Sequence, residues 1–150
     1  MKFLNGCVAL FCMATSLSVL AASPTEPEKV SGFWKNSRGS ILELKQEKNE
    51  LSGNFTTAVA KTKTCIGYKA PFLGFANGNA ISVSISMEGC NSPVVISMSG
   101  ILMKDKDGKD QIKTQSLVQY KGQESWNSQI LVTDYYSRVD EKDAKIAPAK

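Results

Sequence analysis

Residues 80–87 read Ala-Ile-Ser-Val-Ser-Ile-Ser-Met, a strict alternation of apolar residues with serines. Successive side chains on a β-strand point to opposite faces, so the alternation predicts a strand with one apolar and one polar face. The preceding residues 77–79 read Asn-Gly-Asn, and an Asn-Gly pair is a strong signal for a tight hairpin. The segment therefore predicts part of an antiparallel sheet that buries one face.

The same period-two pattern extends on both sides of this segment, with turn residues after roughly every 8–12 positions. It predicts eight strands, at residues 30–36, 39–46, 51–60, 72–77, 80–87, 94–103, 110–120 and 129–139. No helix longer than a turn is expected. Closing the strands into a barrel would cover the apolar face and leave no open edge. The predicted fold class is therefore all-β, an eight-stranded antiparallel up-and-down β-barrel, whose interior is wide enough for side chains or one small ligand.

The N-terminal residues have the pattern of a secretory signal peptide. Lys2 precedes a mostly apolar run over residues 3–20, and small residues follow before Ser23. A membrane span is one alternative, but no charged stop follows the run. A lipoprotein anchor is the other, but Cys7 comes too early to follow an apolar region. No membrane partner is expected. We predict a signal peptide at residues 1–22, a flexible segment at 23–29, the barrel at 30–139 and a charged tail at 140–150. The mature protein is expected to be secreted, either extracellular or periplasmic.

Signal removal leaves two cysteines, Cys65 and Cys90. Because an exported chain meets oxidising conditions, we expect these two residues to form a disulfide. Two free thiols are the alternative. No C-x-x-C motif is present, so the sequence does not indicate redox catalysis.

The composition excludes several classes of function. The chain contains no histidine, which excludes a Ser-His-Asp site, a Cys-His site and a His-zinc site. The net charge is only +4, and the 18 basic residues are scattered. A nucleic-acid-binding protein would cluster them on one face, so no nucleic-acid partner is expected. No metal and no cofactor are predicted.

Asp134 is the residue that fits a barrel core least well. Strand alternation places it on the same inward face as Ile130, Val132 and Tyr136. A buried carboxylate is costly unless it is hydrogen-bonded, so it is either bonded to local backbone or directed at a ligand N–H. We expect Asn36, Ser40 and Thr57 at the same end of the barrel. An apolar cavity with a few convergent polar groups is typical of a small-ligand site. For Asn36 and Ser40 alone, a role in the turn is the simpler interpretation.

Three segments in register resemble the avidin and streptavidin family. Residues 32–40 read G-F-W-K-N-S-R-G-S and resemble the family's G-x-W-x-N-x-x-G-S. Residues 51–59 read L-S-G-N-F-T-T-A-V and resemble L-T-G-x-Y-x-(S/T)-A-V. Residues 126–128 and 133–136 resemble the W-K-(S/A) and D-x-F ending. The cysteine placement further resembles that of dimeric bacterial avidins with one disulfide.

The resemblance implies a barrel that binds biotin noncovalently. Asn36 and Ser40 would then donate to the ureido oxygen of biotin, and Thr57 and Asp134 would accept its two N–H groups. The family's third donor is a tyrosine, and Phe55 stands at that position here. Ala58, Val59 and Ala60 would begin the loop that closes over the ligand.

The departures from the family lie in the apolar walls of the pocket. The wall tryptophans are replaced by Met87, Met98 and Ser116, with Val118 nearby, and Arg38 replaces a small apolar residue in the first loop. We therefore expect reduced affinity for biotin. Trp126 resembles the residue that caps a neighbouring subunit's pocket in tetramers, whereas the disulfide favours a dimer. A homodimer and a homotetramer both remain open, as does packing of Trp126 on its own barrel.

Two other functions compete with biotin binding. The barrel could bind a different small ligand or a protein partner, which the altered wall favours. An enzyme would need a second carboxylate near Asp134, and Glu43 and Asp110 are the candidates. The alternation places Glu43 outward, and Asp110 lies in a lysine-rich turn, so both are expected to be solvated and no enzyme is predicted.

Overall fold

A computed structural model describes residues 29–60, 63–88, 93–121 and 128–146. The eight strands are β1 (Gly32–Asn36), β2 (Ile41–Glu47), β3 (Glu50–Thr56), β4 (Lys69–Asn77), β5 (Ala80–Met87), β6 (Val94–Lys104), β7 (Asp110–Tyr120) and β8 (Gln129–Val139). Two short 3-10 turns cover Lys63–Cys65 and Glu141–Asp143. Each strand pairs antiparallel with the next one along the chain, and β8 pairs with β1 to close the barrel. The predicted fold class is confirmed.

The predicted boundaries differ from the observed ones mainly around the loop between β3 and β4. β3 ends at Thr56 rather than at residue 60, and β4 begins at Lys69 rather than at residue 72. The hydroxyl of Thr57 donates to the Val59 carbonyl at 2.6 Å and accepts from the Val59 N–H at 3.2 Å. The Thr57 N–H still donates to the Tyr68 carbonyl at 3.2 Å, but the Val59 N–H is taken by the Thr57 hydroxyl, so the pairing does not continue beyond Thr57.

The inward faces follow the predicted alternation. Ile81, Val83, Ile85 and Met87 of β5 are all buried. Trp34 is fully buried in the same core, its indole N–H donates to the Val30 carbonyl at 2.8 Å, and the Arg138 guanidinium lies 4.2 Å from its ring centre. Apart from Met87, which ends β5, these apolar side chains fill the barrel toward the end where β1, β3, β5 and β7 begin. The opposite end is left for the pocket.

The ends of the chain bear on the predicted domain limits. The predicted signal peptide at residues 1–22 lies outside the described residues and stays a prediction. The charged tail begins on the barrel, because the Lys35 ammonium donates to the carbonyls of Asp143 and Lys145 at 3.2 and 3.0 Å. Among the described residues, no helix has the length and hydropathy needed to cross a membrane.

Candidate functional site

A pocket of about 350 Å³ opens at the barrel end where β1, β3, β5 and β7 finish. Ten of the residues singled out from the sequence line it, namely Asn36, Ser40, Phe55, Thr57, Val59, Met87, Met98, Ser116, Val118 and Asp134. The eleventh, Trp126, lies outside the described residues. Strand alternation thus brings residues from six strands and two loops to one cavity, as the barrel prediction requires.

Further residues line the pocket that the sequence did not single out as ligand contacts. They are Arg38, Ala60, Cys65, Val94, Ile96, Tyr120, Ile130, Val132 and Tyr136. Val94 and Ile96 share an inward face with Met98, and Ile130, Val132 and Tyr136 share one with Asp134. The period-two signal was therefore sufficient to find these five. Tyr120 shares the inward face of β7 with Ser116 and Val118, so the same signal indicates it. The sequence indicated Arg38 and Ala60 only as loop residues.

Asp134 points into the barrel and is only 8% exposed. Its Oδ2 forms an ion pair with Nη2 of Arg38. The carboxylate lines the pocket, and the structure adds a partner that the sequence did not indicate. A role as acceptor for a ligand N–H stays a prediction. The partner comes from the turn between β1 and β2, because closure of β8 on β1 places that turn beside β8.

Asn36 serves both the turn and the pocket. Its Oδ1 accepts from the backbone N–H of Ser40 at 2.8 Å and from that of Arg38 at 3.1 Å. Its Nδ2 is buried and has no hydrogen-bond partner among the described residues. The turn thus fixes the amide so that its donor side faces the pocket end. This geometry is compatible with both roles of Asn36, as a turn residue through Oδ1 and as a pocket residue through Nδ2.

The two hydroxyl groups of the polar end are engaged differently. Ser40 Oγ accepts from the Ala58 N–H at 3.0 Å, which leaves its proton available for donation. Thr57 Oγ1 already donates to the Val59 carbonyl at 2.6 Å and accepts from the Val59 N–H at 3.2 Å. Because a hydroxyl oxygen has two lone pairs, Thr57 retains one acceptor position. Ser40 is therefore a donor and Thr57 an acceptor toward the pocket.

The opposite wall is built by β5, β6 and β7. Met87 and Met98 are buried, and Met98 lies directly across from Ser116 in the β6–β7 pairing. Ser116 Oγ is buried and has no hydrogen-bond partner within the described part of the chain. Phe55 is buried as well and presents a ring without a hydroxyl. This wall is thus apolar and flexible, apart from one unsatisfied hydroxyl.

Tyr136 places a further phenol beside the polar end. It is almost fully buried and pairs with Asn36 across β1 and β8. Burial raises the pKa of Tyr136 well above its usual value, and the negative charge of Asp134 adds to the rise. The Arg38 charge and the proximity of the Asn36 amide act in the opposite direction. The Asn36 amide nitrogen nevertheless makes no hydrogen bond of normal geometry to the phenol. The phenol is therefore neutral at physiological pH.

The two other candidate carboxylates, Glu43 and Asp110, lie outside the pocket. Glu43 pairs with Lys69 at 2.9 Å, and this lysine lowers the pKa of Glu43. Asp110 pairs with Lys104, which lowers the pKa of Asp110. Both positions agree with the solvated surface predicted for them. Among the described residues, no cluster of acidic residues, cysteines or histidines could hold a metal ion.

The predicted disulfide has one partner at the pocket. Cys65 is buried in the 3-10 turn Lys63–Cys65 and lines the cavity. Cys90 lies outside the described residues, so the pairing of Cys65 with Cys90 stays a prediction.

The fold and the site together define a closed up-and-down β-barrel with a small-molecule-sized pocket at one end. The sequence profile of the avidin family matches residues 24–139, and the chain belongs to this family. No curated protein matches the chain in sequence.

Solved structures agree with this assignment. The chain is 26% identical to apo shwanavidin, with a TM-score of 0.61 over 73% of this chain and 100% of that one. It is 27% identical to a single-residue variant of shwanavidin that was crystallised in complex with biotin, with a TM-score of 0.60 over 75% and 99% of the two chains. A biotin-binding protein from chicken shares the fold at 19% identity, with a TM-score of 0.62 over 77% and 100%.

Proposed function

We propose that this chain is a secreted, non-catalytic binding protein that holds biotin, or a molecule with a similar cyclic urea, noncovalently in the mouth of its barrel. One observation carries the proposal. Asn36, Ser40, Thr57 and Asp134 converge at one end of a pocket that is otherwise mostly apolar. Membership of the avidin family and the biotin complex of a related protein support the same ligand.

The polar end has the donors and acceptors that a cyclic urea needs. Asn36 Nδ2 lacks a partner among the described residues and Ser40 has a free proton, so both could donate to the urea oxygen. Thr57 and Asp134 would each accept one N–H. Donors on one side and acceptors on the other polarise the ureido group, which strengthens every bond in the set.

The apolar side predicts weak binding. A buried aromatic ring contributes ~150–250 Å² of contact, which is about 4–6 kcal/mol at about 25 cal/mol per Å². Met87 and Met98 recover much of this contact, so the net loss is several kcal/mol. The missing hydroxyl at Phe55 costs about 1 kcal/mol more. Because every ~1.4 kcal/mol changes affinity tenfold, biotin binding should be weaker by several orders of magnitude than in a pocket with all of these groups.

Titration calorimetry of the mature protein with biotin tests the proposal. We expect a saturable heat, and no heat at millimolar biotin would refute biotin as the ligand. Asp134→Asn should weaken binding at least tenfold, because it replaces an ionised acceptor. Asp110→Asn removes the same charge outside the pocket and should leave the affinity unchanged.

The unsatisfied hydroxyl of Ser116 favours a second candidate, a different small ligand with a polar group at that wall. A protein partner is the other form of this alternative. A thermal-shift screen of ring-containing small molecules separates these possibilities from biotin binding. A compound that raises the unfolding midpoint more than biotin does would identify the alternative ligand.

We further propose that the mature protein is a homodimer or a homotetramer. Leu73, Phe75 and Leu131 are outward-facing and at least 67% exposed, which is unusual for side chains of this size on an isolated barrel. Light scattering on the mature protein gives the subunit count. N-terminal sequencing of protein recovered outside the cell tests secretion and the cleavage site before Ser23.

A further inference from the structure

The ion pair between Arg38 and Asp134 joins two side chains of unequal exposure. The arginine side chain is 43% exposed, whereas the carboxylate side chain is 9% exposed. The carboxylate belongs to a central position of β8, and the guanidinium reaches it from a turn at the pocket mouth. The arginine can therefore rotate into solvent, while Asp134 has no comparable freedom.

The backbone that carries Arg38 is held in place independently of the ion pair. The Gly39 N–H donates to the Asn36 carbonyl at 2.9 Å, and the Asn36 N–H donates to the Ser40 carbonyl at 3.0 Å. The Arg38 N–H itself donates to Asn36 Oδ1 at 3.1 Å. Release of the guanidinium thus requires side-chain rotation only, and the turn stays formed.

The polar end is incomplete while the ion pair is closed. Asn36 Nδ2 is buried beside the turn without a partner among the described residues, and Asp134 Oδ2 is taken by Arg38. A buried donor without an acceptor costs free energy, and a ligand oxygen would remove that cost. The closed state therefore satisfies the carboxylate but leaves the amide unsatisfied.

We propose that Arg38 is a specificity-determining residue that competes with the N–H donor of the ligand for Asp134. This inference rests on the proposed function. Both groups donate to a carboxylate, but the guanidinium also carries a positive charge that attracts it, whereas a ureido N–H is neutral. A ligand must therefore supply both an N–H for Asp134 and an oxygen for Asn36 in order to displace Arg38. A ligand that offers only one of them is rejected.

Calorimetric titration of biotin into Arg38→Ala and Arg38→Gln provides the test. Both variants remove the competitor, and Arg38→Gln keeps most of the side-chain length. We expect each to bind biotin at least tenfold more tightly than the wild type. Lys104→Ala is the matched control, because it removes one positive charge from an exposed pair at the other end of the barrel and should not change the affinity.

The salt dependence of biotin affinity provides a second readout. A purely structural role for Arg38 predicts the same salt dependence in the wild type and in Arg38→Ala. Screening weakens the Arg38–Asp134 pair, so wild-type affinity for biotin should rise toward about 1 M salt, relative to the same titration of Arg38→Ala. Unequal salt dependence in this direction supports competition, and equal dependence contradicts it.

The outcomes separate this inference from the proposed function. Wild-type binding together with tighter binding by both Arg38 variants supports both. If only the variants bind, the competitor role is supported and biotin is refuted as the ligand of the wild type. Wild-type binding with equal or weaker binding by the variants overturns the competitor role and leaves the proposed function intact. Absence of binding in all proteins, with each shown to be folded by its thermal transition, overturns both.

Discussion

The buried hydroxyl of Ser116 gives a prediction about stability that needs no ligand. Ser116 Oγ has no hydrogen-bond partner among the described residues and is shielded from solvent. An unsatisfied buried hydroxyl costs about 1–3 kcal/mol. Ser116→Ala removes that cost and loses only one atom of packing, so we expect the free energy of unfolding to rise by about 1 kcal/mol. For a domain of this size the melting temperature should rise by about 4 °C or more.

The adjacent inward residue on β7 provides the matched control. Thr114 is fully buried, and its hydroxyl donates to the Asp134 carbonyl at 3.4 Å. Thr114→Val keeps the shape and removes a hydroxyl that has a partner, so it should lower the free energy of unfolding by about 0.5–1.5 kcal/mol. Urea denaturation with both variants and the wild type measures the two effects. The opposite signs distinguish an unsatisfied from a satisfied hydroxyl on the same strand face.

The result that would refute this reasoning is a loss of stability in Ser116→Ala as large as that in Thr114→Val. It would mean that the Ser116 hydroxyl has a partner in solution. The second candidate function, which relies on this unsatisfied group, would then lose its support.

Three further predictions concern the pocket and the scaffold. Phe55→Tyr restores the hydroxyl that the family resemblance implies and should tighten biotin binding about fivefold by calorimetry; an unchanged affinity would contradict the proposed position of the urea. Burial raises the pKa of Tyr136 in the folded chain above the value of about 10 for an unfolded tyrosine. The contribution of Tyr136 to the free energy of unfolding is therefore fully present below about pH 10. It falls as the pH rises further, because the unfolded chain ionises first. Denaturation between about pH 9 and about pH 12 should show a smaller alkaline loss in Tyr136→Phe, and equal losses would argue against this cause. A Cβ at Gly53 would lie 1.8 Å from the Glu43 carbonyl oxygen, so Gly53→Ala should prevent cooperative unfolding or lower the melting temperature sharply. Gly78→Ala, where φ is also positive but no atom lies within 4 Å, should cost only about 1 kcal/mol, and similar losses in the two variants would contradict the steric argument.

Much of the barrel could be predicted because strand alternation is a local property. The pattern at residues 80–87 matches β5 residue for residue, and β7 and β8 also have their predicted limits. The prediction failed at residues 57–60, where the Thr57 hydroxyl bonds the backbone of Val59 and ends β3. Threonine favours strands in general, so its sequence context did not reveal this competing hydrogen bond.

The sequence predicted which residues line the pocket but not which of their side chains contact one another. Period two identifies Met98, Ser116 and Asp134 as inward-facing, and all three line the pocket. It carries no information on which inward side chains touch. The family resemblance assigned Asp134 to a ligand and described Arg38 only as a replacement in a loop, and the structure joins the two in an ion pair.

The amino-acid sequence by itself determined the fold class and the inward direction of the carboxylate at Asp134. Both depend on the backbone geometry of a strand, which places every second side chain on the same face. Only the tertiary structure decided what meets that carboxylate. Arg38 and Asp134 are 96 residues apart, and they become neighbours because β8 closes on β1. The tertiary structure also leaves the Ser116 hydroxyl and the Asn36 amide nitrogen without partners among the described residues. Strand alternation, which is local, decides which side chains face the pocket. Which of these side chains contact one another depends on which strands are adjacent in the closed barrel.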